Sequence, residues 1–271
     1  SDNRTQNFDG VTDSAVSYRR ARIRAECRGL VLHRSGAVLA RPLHKFFCWD
    51  QLGNDEYVQG CTRDTVSVTA DTANMELESV TIKLDGQMVY GVVLDGKVQF
   101  WTRAGPTAVG MDAYRVAVAS KGDYWGFVQW ISAKQATPVF EFVGRQSRKK
   151  AFEGNLPRLV LLAVRMHDTG GYWEQDRMQQ VCERFGIDVV ERLVHLERLF
   201  YHQGFSELVR QVQGWHNCEG VVVRFRHGHW VKVKSKLWQC TGYSLEYSAK
   251  VAQRIRAERA RLKVRKEQLL H

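Results

Sequence analysis

Two Asp-Gly pairs, Asp85-Gly86 and Asp95-Gly96, cut residues 79–102 into three short runs rich in β-branched residues. Val80 and Ile82 alternate with Thr81 at period two, the spacing of a half-buried strand. Met88 to Val93 is apolar and β-branched, and Lys97 to Thr102 follows the second pair. Asp-Gly between such runs is a turn signal. The stretch therefore predicts a strand, a turn and a second strand, with Lys83 at the end of the first, and then another hairpin. A lysine where an apolar strand runs into a turn can be partly desolvated, and a desolvated amine is more often neutral and nucleophilic. K-x-D-G taken singly also describes an exposed lysine beside a hairpin turn, so the rest of the chain has to supply the context.

Further strands are expected along the chain. Arg24–His33 and Ala37–Pro42, separated by Ser35-Gly36, read as a hairpin, followed by the aromatic stretch Leu43–Trp49. Thr137–Val143 and Leu159–Val164 read as strands, the second almost continuously apolar. Cys218–Phe225 and Trp230–Lys234 form another strand pair around His227-Gly228. Helices are expected within Met111–Lys134, over Gln175–Phe185 with Gly186 as C-cap, and over Phe205–Val212. Residues 1–20 read as a polar segment, 21–243 as one catalytic domain, and 244–271 as a basic helix carrying Lys250, Arg254, Arg256, Arg259, Arg261, Lys263, Arg265 and Lys266.

Charge narrows the partners. Forty Lys and Arg against 29 Asp and Glu give a net charge of +11, which points to a polyanion, nucleic acid first and an anionic membrane second. The mean hydropathy of −0.37 and the lack of a long apolar run give no reason to expect a transmembrane span. The polar start Ser1–Gln6 has no apolar core of the kind a secretory signal needs. Cys27, Cys48, Cys61, Cys182, Cys218 and Cys240 are scattered, with no C-x-x-C spacing. That distribution argues for a reducing intracellular compartment and against both a structural zinc site and a disulfide framework.

Five charged residues sit inside apolar strands: Lys83, Glu141, Glu219, Lys232 and Lys234. Period-two alternation puts Lys232 and Lys234 on one face. Each alone could simply face solvent. Together they offer a candidate nucleophile, two carboxylates able to hold a divalent metal, and paired cations able to hold phosphates. Attack by an amine on a nucleotide α-phosphate needs those parts: a deprotonated lysine, offset phosphoryl charge, and pyrophosphate leaving in line.

The order K-x-D-G (Lys83–Gly86), F-E-F (Phe140–Phe142), E-G-V-V-V (Glu219–Val223) and V-K-V-K (Val231–Lys234) resembles the nucleotidyltransferase superfamily of ATP-dependent ligases and mRNA capping enzymes. Glu26-Cys27-Arg28-Gly29, Arg41–Phe47, Leu161–Arg165 and Asp168–Tyr172 narrow the resemblance to the RNA ligase 1 family, the tRNA-repair ligases of T-even phages and the ligase domains of fungal tRNA ligases. It runs from about Ala25 to Trp238. The resemblance implies an α+β nucleotidyltransferase fold, with antiparallel sheets around a nucleotide cleft and helices outside. It implies that Lys83 becomes covalently adenylylated and that Asp85 and Gly86 complete its motif. Arg28 and Lys45 would contact nucleotide or triphosphate. Glu141 and Glu219 would divide ribose recognition and metal (Mg²⁺ or Mn²⁺) binding, in an order left open. Lys232 and Lys234 would hold the α-phosphate and assist pyrophosphate departure.

Two departures stand out. The family's serine-lysine-glycine run is replaced by Trp101–Gly105, where Arg103 keeps the charge for ATP binding without lysine's geometry. The phage ligases carry a helical domain after the last lysine motif, whereas only residues 235–271 follow here. Either the chain is truncated or substrate selection works differently. The expected function is an ATP-dependent RNA ligase acting on RNA, a tRNA or another broken strand with 5′-phosphate and 3′-OH ends. The alternatives are a DNA ligase or capping-type guanylyltransferase on the same fold, or a non-catalytic RNA-binding protein.

Overall fold

The computed structural model describes residues 20, 23–51, 75–144, 157–216 and 218–241. The polar segment 1–20 apart from Arg20, the threonine-rich stretch before Met75 and the basic segment 244–271 lie outside the described residues. Two sheets carry the architecture. One has the order β3-β11-β10-β4, built from Phe47–Cys48, Trp230–Lys234, Gly220–Phe225 and Leu77–Ile82. The other has the order β6-β5-β7-β8-β9, built from Lys97–Trp101, Gln87–Leu94, Ala136–Val143, Arg158–Met166 and Asp188–Val189. Pairing is antiparallel except β11 with β3 and β8 with β9. A small hairpin, β1 (Val31–Leu32) with β2 (Val38–Ala40), precedes them.

Alternation along the strands makes three apolar layers. In β5, Val89 packs in the cluster beneath helices α1 (Ala108–Ala119), α2 (Tyr124–Ala133) and α3 (Gln175–Phe185), with Phe127, Ile131, Phe140 and Leu159. In β10 and β11, Val221, Val223, Val231 and Val233 pack with Leu196, Phe205 and Leu208 of α4 (Val194–Gln213). The opposite faces meet in a third cluster containing Ala40, Phe46, Tyr90, Val92, Val139, Ala163 and Trp230. Full burial of each such side chain stabilises by roughly 1.5–3 kcal/mol, so the two sheets are held face to face through the small third cluster and each is backed by its own helices. A short α5 (Lys236–Thr241) follows β11. Among the described residues no helix is long and apolar enough to cross a membrane.

The expected α+β class and the sheets with helices outside are present; several local expectations are corrected. Asp85-Gly86 does not close a hairpin. β4 and β5 belong to different sheets, so residues 83–86 are the crossing between them. Residues 23–26 form a helical turn, with Cys27 N–H donating to Ile23 O, and only Val31–Leu32 of the expected strand is extended. Gly29, at φ 81°, reverses the chain after that turn. The single helix expected within 111–134 is two, because Asp123 caps α2 by accepting the Gly126 N–H. The last long helix begins at Val194, not Phe205, and contains a break at Gly204 (φ 83°, ψ 176°).

Candidate active site

The sheet register assembles the site. Val221 pairs with Ile82, and Gly220 pairs with Lys234, so β4, β10 and β11 end together. Lys83 N–H donates to Gly220 O at 2.9 Å. The alternation that sends Val80 into the α4 cluster turns Lys83 to the other face. There its Nζ donates to Glu219 Oε2 at 2.8 Å, while Lys234 Nζ lies 2.9 Å from Glu219 Oε1. The Glu219 side chain is only 8% exposed, so both cations are held on a buried carboxylate. Burial would raise the Glu219 carboxyl, but Lys83 and Lys234 outweigh it and hold the group below the ordinary carboxylate range.

Lys232, two residues back on the same face, donates to Phe46 O at 3.1 Å and lies 4.4 Å from the Phe46 ring centroid. Burial, helped by the charges of Lys83, Arg28 and Lys45, pushes its ammonium down to about 8. Those charges act on Lys232 because the first two motifs reach the same cleft. Lys45 sits over the Phe47 ring at 5.2 Å, and its N–H donates to Ala25 O at 2.8 Å. Arg28 follows the 23–26 turn and its Nε is buried.

The opposite wall supplies Glu141 from β7, between Met88 and Val160 of the neighbouring strands. Burial pushes its carboxyl up to about 7; Lys83 opposes the rise, while Glu219 and Asp85 add to it. The backbone of Gly86 also opposes the rise. A Cβ at Gly86 would meet Phe142 O at 2.5 Å and Glu141 Cγ at 2.9 Å, so glycine there lets the crossing lie against β7. Lys83, Lys232, Lys234, Glu219, Glu141, Arg28, Lys45, Asp85 and Gly86 are thus brought into one neighbourhood. Arg103 is placed differently. It is exposed in the Thr102–Gly105 turn, and its Cα would lie 3.3 Å from a Cβ at Gly29.

Because Glu141 keeps its proton to higher pH in the folded chain than in the unfolded one, its contribution to stability is complete below about 4.5 and is lost as pH rises through about 7. Glu141→Gln is therefore expected to melt several degrees above the wild type at pH 8.5, an advantage of at most ~3 kcal/mol, and to converge on it by pH 5. A variant no more stable than wild type at pH 8.5 would mean that the ionised carboxylate is well satisfied.

No group of three or more His, Cys, Asp or Glu among the described residues forms a ready metal site. Glu219 and Glu141 face each other from the two sheets closely enough for their charges to interact. Two carboxylates fit a Mg²⁺ that arrives on nucleotide phosphates, since this ion is commonly held by one or two carboxylates plus substrate oxygens. They do not make an all-protein cage.

Two buried arginines outside the Lys83 cluster were given no role by the sequence reading. Arg165 is next to last in the apolar β8 and Arg224 next to last in β10, both 3% exposed at the side chain. The signal was a lone cation in an apolar strand, the criterion that singled out Lys83. Arg224 Nε lies 2.9 Å from Glu78 Oε2, and its guanidinium sits 4.3 Å over the Trp230 ring.

A family model described as RNA ligase, of the T4 ligase 1 type, matches residues 26–239. Among solved structures, an archaeal ATP-dependent RNA ligase is similar at 14% identity and a TM-score of 0.54, over 78% of this chain and 52% of that one. A second form of an archaeal ATP-dependent RNA ligase gives 15% and 0.50, over 65% and 47%. A Naegleria gruberi RNA ligase gives 14% and 0.50, over 63% and 53%. The chain spans about half the length of these ligases, and at such identities the likeness is one of fold. No curated protein matches.

Proposed function

The chain belongs to the RNA ligase family, and on that premise we propose that it is an ATP-dependent RNA ligase working through a lysyl-AMP on Lys83. The observation that carries the proposal is the buried Glu219 carboxylate gripped by Lys83 on one oxygen and Lys234 on the other, with Lys232 beside them. The 2.8 Å hydrogen bond from Lys83 Nζ to Glu219 Oε2 supports a role for this carboxylate in orienting the attacking amine, which must give up its proton before it attacks. The amine nitrogen then bonds to the α-phosphorus of ATP as the bond to pyrophosphate breaks. Lys232, Lys234, Arg28 and Lys45 supply the positive charge that offsets the phosphoryl oxygens and the leaving group. A divalent cation entering with ATP would be held between Glu219 and Glu141 and would add to that charge. An RNA 5′-phosphate oxygen next displaces Lys83 from the AMP, giving an adenylylated RNA end. A 3′-hydroxyl then attacks that end, forming the phosphodiester and releasing AMP.

The natural acceptor in this reading is a broken RNA strand, such as a nicked tRNA, with 5′-phosphate and 3′-OH ends. The scattered cysteines, with no C-x-x-C spacing, make a reducing compartment part of this reading. The test is incubation with Mg²⁺ and α-labelled ATP or GTP, then a chase with 5′-phosphorylated RNA or DNA. Label that comes from ATP, stays on the protein through denaturation, returns to ATP with pyrophosphate and leaves with RNA is the expected result. Label from GTP alone, or release to DNA alone, would move the protein to capping or DNA joining. No label in folded, nucleotide-free protein would leave a non-catalytic RNA binder.

A further inference from the structure

Four segments whose residues have not all received a task meet away from Lys83. Glu26, Arg41, His44, Arg165, Tyr172 and Trp230 line one cavity of about 570 Å³. The centre of this group is Arg165. Its NH2 donates to Glu26 Oε2 at 2.6 Å, its NH1 to Pro42 O at 2.8 Å, and its Nε to Gly170 O at 2.9 Å. All three sides of the guanidinium fork are therefore used, with the side chain 3% exposed. Arg41 reinforces the same point: NH2 donates to Glu26 Oε2 at 2.9 Å, and NH1 to His167 O and Asp168 O. Burial would raise the Glu26 carboxyl, but these two guanidiniums keep it below the ordinary range.

What Arg165 holds matters for the cleft. Glu26 lies two residues before Arg28, and Pro42 lies three residues before Lys45. The two segments are also tied to each other by Lys45 N–H donating to Ala25 O. Arg28 and Lys45 are the cations that reach Lys232 from outside the strands, and neither sits in regular secondary structure that would fix it. Besides their own contacts, the segments that carry them share two anchor points gripped by a single β8 guanidinium.

We infer that Arg165, through Glu26, is a positioning residue that sets Arg28 and Lys45 against the phosphates of bound ATP; the inference rests on the ligase reading above. A shift of about 1 Å in such groups is enough to weaken a site many-fold. Two readouts serve: the ATP concentration giving half-maximal covalent labelling, and the ATP-induced rise in Tm, which needs no chemistry. Glu26→Gln alters a carboxylate that is 43% exposed, so folding should survive it. Arg165→Lys keeps the charge but cannot span three acceptors.

Each is expected to raise the half-maximal ATP concentration about tenfold and change the maximal labelling rate less than about threefold. In an Arg28→Ala/Lys45→Ala background, Glu26→Gln should add nothing, whereas over Lys234→Ala its full penalty should remain. Packing alone would lower Tm without this pattern. If both variants match wild type in ATP dependence, or if the Glu26→Gln penalty persists undiminished over Arg28→Ala/Lys45→Ala, the inference fails. A wild type that neither labels nor is stabilised by ATP overturns the ligase reading, and this inference with it. A wild type that does both, beside silent variants, overturns this inference alone.

Discussion

Replacing Lys83 with alanine is expected to remove covalent AMP labelling, by about 10³-fold or more, while leaving a folded protein that still binds ATP. The fold should persist because Glu219 keeps Lys234 at 2.9 Å, so no buried carboxylate is stranded. The lost ion pair is 20% exposed on the lysine side and is worth on the order of 1 kcal/mol. ATP should still raise Tm, because Lys232, Arg28 and Lys45 are untouched. Lys83→Arg sharpens the test: a guanidinium keeps the positive charge beside Glu219 but does not deprotonate, so it should be equally unlabelled. Intact-protein mass spectrometry after incubation with ATP and Mg²⁺ reads the result directly. An AMP adduct persisting on either variant would place the nucleophile on another lysine of the cleft, with Lys232 the first to examine.

Gly220→Ala should be still more damaging to the folded state. Gly220 has φ 142°, and a Cβ there would lie 2.1 Å from Val233 O and 2.8 Å from Lys234 Cα, both backbone atoms of β11. Backbone in a paired central strand cannot swing aside as a side-chain tip can. The β10–β11 ladder would have to part at the Gly220–Lys234 pair, beside the Lys83 N–H to Gly220 O bond. A loss of about 3–5 kcal/mol is expected, close to the whole stability of many domains. Chemical denaturation should show it as a large fall in midpoint, and labelling should be lost in whatever protein remains soluble. Near-wild-type stability would mean that β11 can shift sideways, and with it Lys234 and Glu219.

Period-two alternation made much of this cleft legible. Lys232 and Lys234 had to share a face, and a strand ending in V-T-I-K had to put Lys83 opposite Val80 and Ile82. What it could not convey was which sheet a strand joins. Asp85-Gly86 and Asp95-Gly96 are the same dipeptide. The second closes the β5–β6 hairpin with φ of 50° and 73°, whereas neither Asp85 nor Gly86 has a positive φ. Gly86 is there because Phe142 O leaves no room for a side chain, a contact 56 positions away that no local rule contains. Arg165 did carry a signal, a lone cation in an apolar strand, but its partner Glu26 is set by tertiary packing. The first half of α4 carries Leu196, Leu199 and Phe200 at i, i+3 and i+4, a helical spacing that was legible and was overlooked; which sheet that stripe covers was not.

Lys83 and the carboxylate it depends on are 136 positions apart, and Lys232 is 186 positions from the Phe46 carbonyl that anchors it. Closing loops of that length comes late and slowly in a folding chain. During synthesis, a nascent chain that has exposed only its first half presents Lys83 as an ordinary lysine, without Glu219 and without the cations of β11. On the ligase reading proposed above, reactivity at Lys83 would therefore wait until β10 and β11 have docked beside β4, so that a lysyl-AMP would mark a chain in which these three strands have come together.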